Sequence, residues 1–359
     1  KSNPKSSLAR QNVSSAFYGL QNCEKTIIRQ KQSLYQKKYN KTISTMIRFS
    51  LYNYMFEKCA EDDFFYDEER QQEVERNFIH RQKCFDDVFI DDFNNEKRIN
   101  FTNARGTQYL HRFLLAPYRE EGVYILMILN NCRGTRHDEQ LNSIPFDDYR
   151  RCIIIIDNRP GVQLLAIENS TTAFRTMKSV KNILEKTFSR IMAQRFSLKI
   201  SIRNLYNSSC FWEIVNDRNR YPRGFRKVEF TWPKPNLERL AKRFEFIQGI
   251  RKDTNAGVKL VTDAGAGNAV HLNAKDKWTR DVVEVASDIG GDASISLTPN
   301  GSRKKINVGK DNYRYINFED ATFSNMSLDN PELYPKEHLK ALINKIEKDL
   351  QEYGDSDRL

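Results

Sequence analysis

The sequence predicts an α+β fold: a mixed β-sheet with hairpins and βα units, helices mainly on one face, and a flexible basic N-terminal tail. Three observations predict it. Two apolar runs, Cys152–Asp157 and Val162–Ile167, flank the Asn/Pro/Gly-rich turn Asp157–Gly161, which reads as a β-hairpin. Next, Phe174, Met177, Val180, Leu184, Phe188 and Ile191 recur every three or four positions, as one stripe of a helix over 172–195. Beyond it strand and helix patterns alternate, and the mixture of hairpins with βα units argues against a purely alternating doubly wound sheet.

The elements follow in order. Residues 1–45 are Ser/Asn-rich and weakly patterned, so they are expected to be a largely disordered or weakly helical tail. Ile47, Phe49 and Leu51 alternate with polar residues, as a strand does. The acidic block 57–96 reads as loop with short helix, and Thr107–Tyr118 as a short helix ended near Pro117. Val123–Asn131 is a continuous apolar run, expected to be a strand buried on both faces. Ser170 or Thr171 is the expected cap of the helix 172–195. Strands are expected at 196–204, 226–232 and 257–263, with helices at 208–216, 236–250 and 275–291. Short strands follow, with a hairpin turn at Thr298–Gly301, and then an amphipathic helix carrying Leu339, Leu342, Ile343, Ile346 and Leu350. These define regions 1–45, 46–120, 121–233 and 234–359. The stretch 120–320 has room for two ferredoxin-like βαβ units.

Composition narrows the function classes. The 359 residues carry a net charge of +11, and nine Lys/Arg against one acid, Glu24, lie within residues 1–45. Residues 57–92 reverse the sign, with thirteen acids against five bases. A basic arm attracts nucleic acid or acidic surfaces through counterion release. The longest apolar runs are far shorter than the ~20 residues of a membrane-spanning helix, so no membrane partner is expected. The six cysteines form no C-x-x-C pair and fit a reducing, cytoplasmic setting.

The Gly-rich stretch Asp263–Val270 invites a phosphate-loop reading. A dinucleotide fingerprint would need Gly at position 270, where Val stands, and no Gly-Lys-Ser/Thr occurs. The simpler expectation is a hairpin, Val258–Asp263 paired with Asn268–Asn273. No cofactor is expected.

Two constellations could support nucleic-acid cleavage. Arg105 and His111 resemble, in spacing alone, the R-x5-H motif of HEPN-type ribonucleases. That resemblance implies an arginine stabilising a phosphorane-like state and a histidine moving a proton. Gly106 departs from the polar residue that family carries there, and the surroundings read as mixed α/β rather than all-helical. Asp157 and Glu168 lie on adjacent strands of the hairpin, as in a metal-dependent nuclease of the PD-(D/E)xK type. The lysine of E-x-K is missing from Glu168-Asn-Ser170. Asp86, Asp87, Asp91 and Asp92 could gather Mg²⁺ if that chemistry operates.

Basic residues carry the leading expectation. On the helix 172–195, Arg175, Lys178, Lys186 and Arg190 fall opposite the apolar stripe, and Lys199 and Arg203 follow on the next strand. Arg220, Arg223 and Arg226 interleave with Tyr221 and Phe225, a mixture that suits phosphate and base stacking. Val228, Phe230 and Trp232 share one strand face and are expected in the core. The sequence thus favours an α+β protein contacting RNA or DNA through charge, without sequence preference. A nucleic-acid-cleaving effector and a protein-interaction subunit are the alternatives.

Overall fold

The computed structural model describes residues 46–59, 68–94, 99–113, 122–160, 162–232, 258–291, 294–319 and, in a C-terminal helix, 341, 343–346 and 348. The expected tail 1–45 and helix 236–250 lie outside them. The described residues from 47 to 318, with those of the C-terminal helix, group as one compact unit. No described helix is long and apolar enough to cross a membrane.

The architecture is α+β. Strand β1 (Met46–Lys58) organises the larger sheet with β2 (Phe101–Thr102), β3 (Gln108–Phe113), β4 (Val123–Asn131), β7 (Tyr149–Asp157), β8 (Leu164–Glu168), β9 (Leu198–Asn204) and β14 (Tyr315–Glu319). Its order is β14-β1-β8-β7-β4-β3-β2, with β9 also on β1. A separate two-stranded ribbon pairs β5 (Gly134–His137) with β6 (Ser143–Phe146). The second sheet runs β11-β10-β12-β13, from β10 (Phe225–Trp232), β11 (Val258–Asp263), β12 (Ile295–Pro299) and β13 (Ile306–Asn307).

Helices α1 (Glu68–Ile79), α2 (Arg81–Asn94), α3 (Met177–Phe196), α4 (Ser209–Asn216) and α5 (Lys277–Ile289) complete the described elements with the C-terminal helix. Two helices form split crossovers. Tyr52 and Asn53 pair with both β8 and β9, so these strands flank β1 on opposite edges, both antiparallel to it. Helix α3 joins them. Helix α5 likewise joins β11 and β12, which flank β10. These are the two βαβ units for which the sequence has room.

Alternation sorts the first sheet into two cores. Tyr52, Tyr54, Leu126, Ile154 and Ile200 face α2 and α3. Phe49, Leu51, Ile125, Ile155 and Ala166 face the other way, where Ile343 and Ile346 of the C-terminal helix pack. Strand β1 is therefore buried on both faces, although its first residues alternate. In the second sheet Val228, Phe230, Trp232 and Leu297 meet Phe211 of α4 and Val283 and Ala286 of α5.

Four local expectations are corrected. The acidic block is not mainly loop: it contains α1 and α2. Cys84, Phe85, Val88 and Phe89 make a helical stripe that buries against α3, and their burial outweighs the polar remainder. Residues 108–113 form a strand rather than a helix. The edge of β4 presents unpaired amides and carbonyls, and Leu110–Phe113 satisfies them in register with Leu126–Leu129. Helix α3 starts at Met177, with Thr176 as its cap: the Thr176 hydroxyl accepts from the Ser179 amide at 3.2 Å. Ser170 instead closes a turn, its carbonyl accepting from the Phe174 amide at 2.9 Å. Finally, Asn268–Asn273 forms no strand: the Val270 amide donates to the Phe225 carbonyl at the start of β10 at 2.8 Å, so the segment does not pair along the outer edge of β11.

Candidate nucleic-acid interface

Helix α3 places the first basic group. Its apolar stripe is buried, which turns Lys178, Lys186 and Arg190 outward as exposed residues; Arg175, just before the Thr176 cap, is exposed as well. Its first turn has no acidic residue. The helix N-terminus carries a partial positive charge, so Arg175 and Lys178 add to that charge rather than offset it. Lys186 donates to the Asn103 carbonyl at 2.9 Å and Arg190 to the Asn100 carbonyl at 2.8 Å. Lys186 therefore lies at the turn between β2 and β3, and Arg190 at the residue that leads into β2. Arg105 is exposed on that same turn, which the Asn103 side chain closes by accepting from the Arg105 and Thr107 amides at 2.9 and 3.0 Å. The fold thus gathers Arg105, Lys186 and Arg190 around one hairpin, a combination the sequence separated by eighty residues.

Two neighbours behave differently. Lys199 is exposed on β9, opposite Glu57. Arg203 is half-buried. Burial lowers its pKa, with Glu57 and Glu185 pulling the other way.

The second basic group belongs to the second sheet. Arg220 and Arg223 are exposed in the loop before β10, and Arg226 is half-buried. The Arg220 guanidinium sits 5.6 Å from the Tyr221 ring centre, a cation–π arrangement. Tyr221 is half-buried and packs on Phe225 at 4.9 Å, while Phe225 is buried in the core. Phe225 is thus no stacking platform. The Asn300 amide donates to the Arg223 and Asn268 carbonyls at 3.1 and 2.7 Å. That bond draws the β12–β13 turn, with exposed Arg303 and Lys304, to the arginine loop.

On the β10 face opposite the apolar core, one carboxylate gathers three lysines. Glu229 is met by Lys227 at 2.9 Å, Lys259 at 2.8 Å and Lys305 at 2.7 Å. Hydrogen bonds from Lys259 and Lys305 hold its pKa down at about 2. Its contribution to stability is therefore present above the ordinary carboxylate range and is lost as pH falls toward that value. Lys259 and Lys305 were not singled out by sequence reading. The alternation Lys227-Val228-Glu229-Phe230 signals the face, but only strand pairing brings the other two lysines to it.

The cleavage candidates are dispersed. His111 lies on β3 with its ring edge-on to Phe101 at 5.0 Å, and Arg105 is on the turn beyond the strand's start. Asp157 is buried and held by Arg159 through bonds of 2.9 and 2.7 Å. Glu168 accepts from the Ile153 amide at 2.8 Å. Asp157 is opposite Leu164, so Glu168 is four residues, about 13 Å, further along β8. Asp87 is half-buried on α2; Asp91 and Asp92 belong to the same helix, their side chains outside the described residues. Among the described residues no three His, Cys, Asp or Glu gather as a metal site.

Asp86 serves a polar network. It accepts from the Tyr124 hydroxyl at 2.6 Å and the Asn158 amide at 2.7 Å, and the Asn158 oxygen accepts from Tyr54 at 2.6 Å. Burial raises the Asp86 pKa, and these two hydrogen bonds pull it back only in part. The folded state therefore holds this proton more tightly than the unfolded chain does. Asp86 takes stability away as pH rises from the ordinary carboxylate range through its raised value. Asp86→Asn keeps the accepting oxygen and removes that slope. Urea midpoints across this window should be flatter for the variant than for the parent. Asp86→Ala removes the bonds that Asp86 accepts from Tyr124 and Asn158 and should cost about 1–3 kcal/mol.

The chain matches no protein-family model, no curated protein and no solved structure. The functional reading rests on the residues themselves.

Proposed function

We propose that this protein contacts RNA or DNA through charge, without reading sequence, using Arg175, Lys178, Lys186 and Arg190 together with Arg220, Arg223 and Arg226. The observation that carries the proposal is the start of α3. Arg175 and Lys178 stand where the helix is already positive, with no acid in its first turn. That arrangement is unfavourable by itself and favourable beside a phosphate. The Lys186 contact to the β2–β3 turn, which also carries Arg105, and the Arg190 contact to Asn100 just before β2 support it by fixing two further cations.

The test is fluorescence anisotropy with labelled single- and double-stranded RNA and DNA over a salt series. The unaltered chain should bind at low salt and weaken steeply as salt rises. Reversing Arg175, Lys178, Lys186 and Arg190 to Glu should remove most of the affinity and flatten the log–log salt slope by about 0.9 for each lost phosphate contact. Absent binding at low salt, or equal binding by the reversed variant, would sink the proposal. A shortened probe recovered afterwards would turn it toward a nuclease.

A second reading, a protein-interaction subunit, is favoured by the β5–β6 ribbon. All its strand residues except half-buried Gly134 are exposed, including Ile144 and Phe146, and Leu141 projects at its tip. Phe146 lies over Gly134, so its ring shields the ribbon backbone while leaving an apolar face outward. Partner capture that survives nuclease digestion and disappears in Phe146→Ser would support this reading over the first.

A further inference from the structure

We infer that Lys227, Lys259 and Lys305 form a phosphate cradle for the backbone of a bound nucleic acid, at a site separate from α3. The inference rests on the proposed nucleic-acid reading but on none of its residues. Its basis is an imbalance of charge. Three ammonium groups converge on the two oxygens of Glu229. Glu229 offsets one of them and Asp263, opposite Lys227 on β11, offsets another, so one net positive charge remains at this face, carried outward by the exposed Lys259 and Lys305. The carboxylate is ionised throughout the neutral range.

Sheet geometry makes the convergence. Lys227 and Glu229 are two residues apart on β10 and so share a face. Lys259 is opposite Thr231 on β11, the diagonal neighbour of Glu229. Lys305 immediately precedes β13 and reaches across β12. Glu229 itself is 5% exposed, whereas the Lys259 and Lys305 side chains are 51% and 49% exposed. The anion is buried beneath its cations. Each ammonium carries three N–H donors, more than Glu229 can accept, and the remainder are directed away from it. The buried carboxylate thus acts as a positioning group that holds lysines together which would otherwise repel one another. The exposed Arg303 and Lys304, next to Lys305 in sequence, extend the positive surface and fit a polyanion better than a lone phosphate ion.

The experiment uses the full chain, a fluorescein-labelled single-stranded oligonucleotide, and the same oligonucleotide with uncharged methylphosphonate linkages. Lys259→Gln with Lys305→Gln should weaken binding to the charged strand by more than Lys277→Gln with Lys310→Gln, two exposed lysines elsewhere whose loss removes the same net charge. The salt slope on this single strand should fall by about 1.4 for the cradle variant, about 0.7 per lysine. Lys259→Arg with Lys305→Arg should restore most of the affinity. The methylphosphonate strand should show no difference between the variants. No binding by the unaltered chain would overturn the proposed function and this site with it. Binding by the unaltered chain that falls equally in the cradle and control variants would overturn the site alone. Thermal unfolding of each variant, monitored by circular dichroism, should match the parent to within a few degrees. A cradle variant that loses its fold is replaced by Lys305→Gln alone, for which the same contrast with Lys310→Gln is expected.

Discussion

Replacing Phe188 with alanine is expected to lower stability by about 3–5 kcal/mol, read as a shift of the urea midpoint at unchanged slope. Phe188 is 1% exposed and is the ring that ties α3 to the rest of the first core. It meets Phe85 at 5.1 Å and Phe89 at 5.8 Å on α2, and Phe101 at 5.7 Å on β2, in each case edge to face. Removing it empties a space that three other aromatic rings cannot refill without leaving their own contacts. The loss should extend to function. Thr187, its neighbour, has a hydroxyl 3.3 Å from the Thr102 amide, and Lys186 and Arg190 reach the same β2 segment. A loosened α3 therefore disperses the basic group around the hairpin. Phe188→Leu should cost less than half as much, because most of the volume is retained. A midpoint unchanged in Phe188→Ala would refute this account of the core.

Gly290→Ala is expected to be the second severe change, at about 3 kcal/mol or more, measured in the same way. Gly290 ends α5 at φ 73° and ψ −174°, a backbone region that is almost exclusively glycine's. A methyl group there would also lie 2.3 Å from the Asn204 carbonyl oxygen, a backbone atom at the end of β9. The same oxygen accepts from the Gly291 amide at 2.9 Å, and the Asn204 side chain donates to the Gly309 carbonyl at 2.8 Å. Alanine at 290 must therefore displace the contact that fastens the end of α5 to the first sheet. Gly301→Ala serves as the control. Its φ is also positive, at 80°, but a methyl there meets no atom within 4 Å. It should cost only the conformational part, about 1 kcal/mol. Equal losses at the two positions would show that the close approach is not what makes Gly290 necessary.

Much of the architecture was legible in the amino-acid order because periodicity is a local property. The run at β4, the hairpin of β7 and β8, the stripe of α3 and the alternation of β10 each announce an element without reference to the rest of the chain. Errors fell where partners decide the outcome. Residues 108–113 carry no strong strand signal, and they are extended because β4 has an edge to fill. Asn268–Asn273 alternates like a strand, and it is not one because its Val270 amide bonds the Phe225 carbonyl of β10 instead of pairing along β11. Helix α2 was hidden by its aspartates, since the burial of Phe85 and Phe89 depends on α3 being present to receive them.

The basic residues divide along the same line. Sequence alone determined that Lys178, Lys186 and Arg190 face away from the core on α3, because a helix with one apolar stripe has only one way to bury it; Arg175, which the periodicity placed on the same helix, lies before its Thr176 cap. It also determined that Lys227 and Glu229 share a face. Only the tertiary structure decided which cations stand together. It placed Arg105 beside Lys186 and Arg190, brought Lys259 and Lys305 to Glu229, and kept Asp157 and Glu168 about 13 Å apart along the hairpin. Charge acts through space over a few ångströms, and neighbours at that range are set by strand register and helix docking rather than by position in the chain.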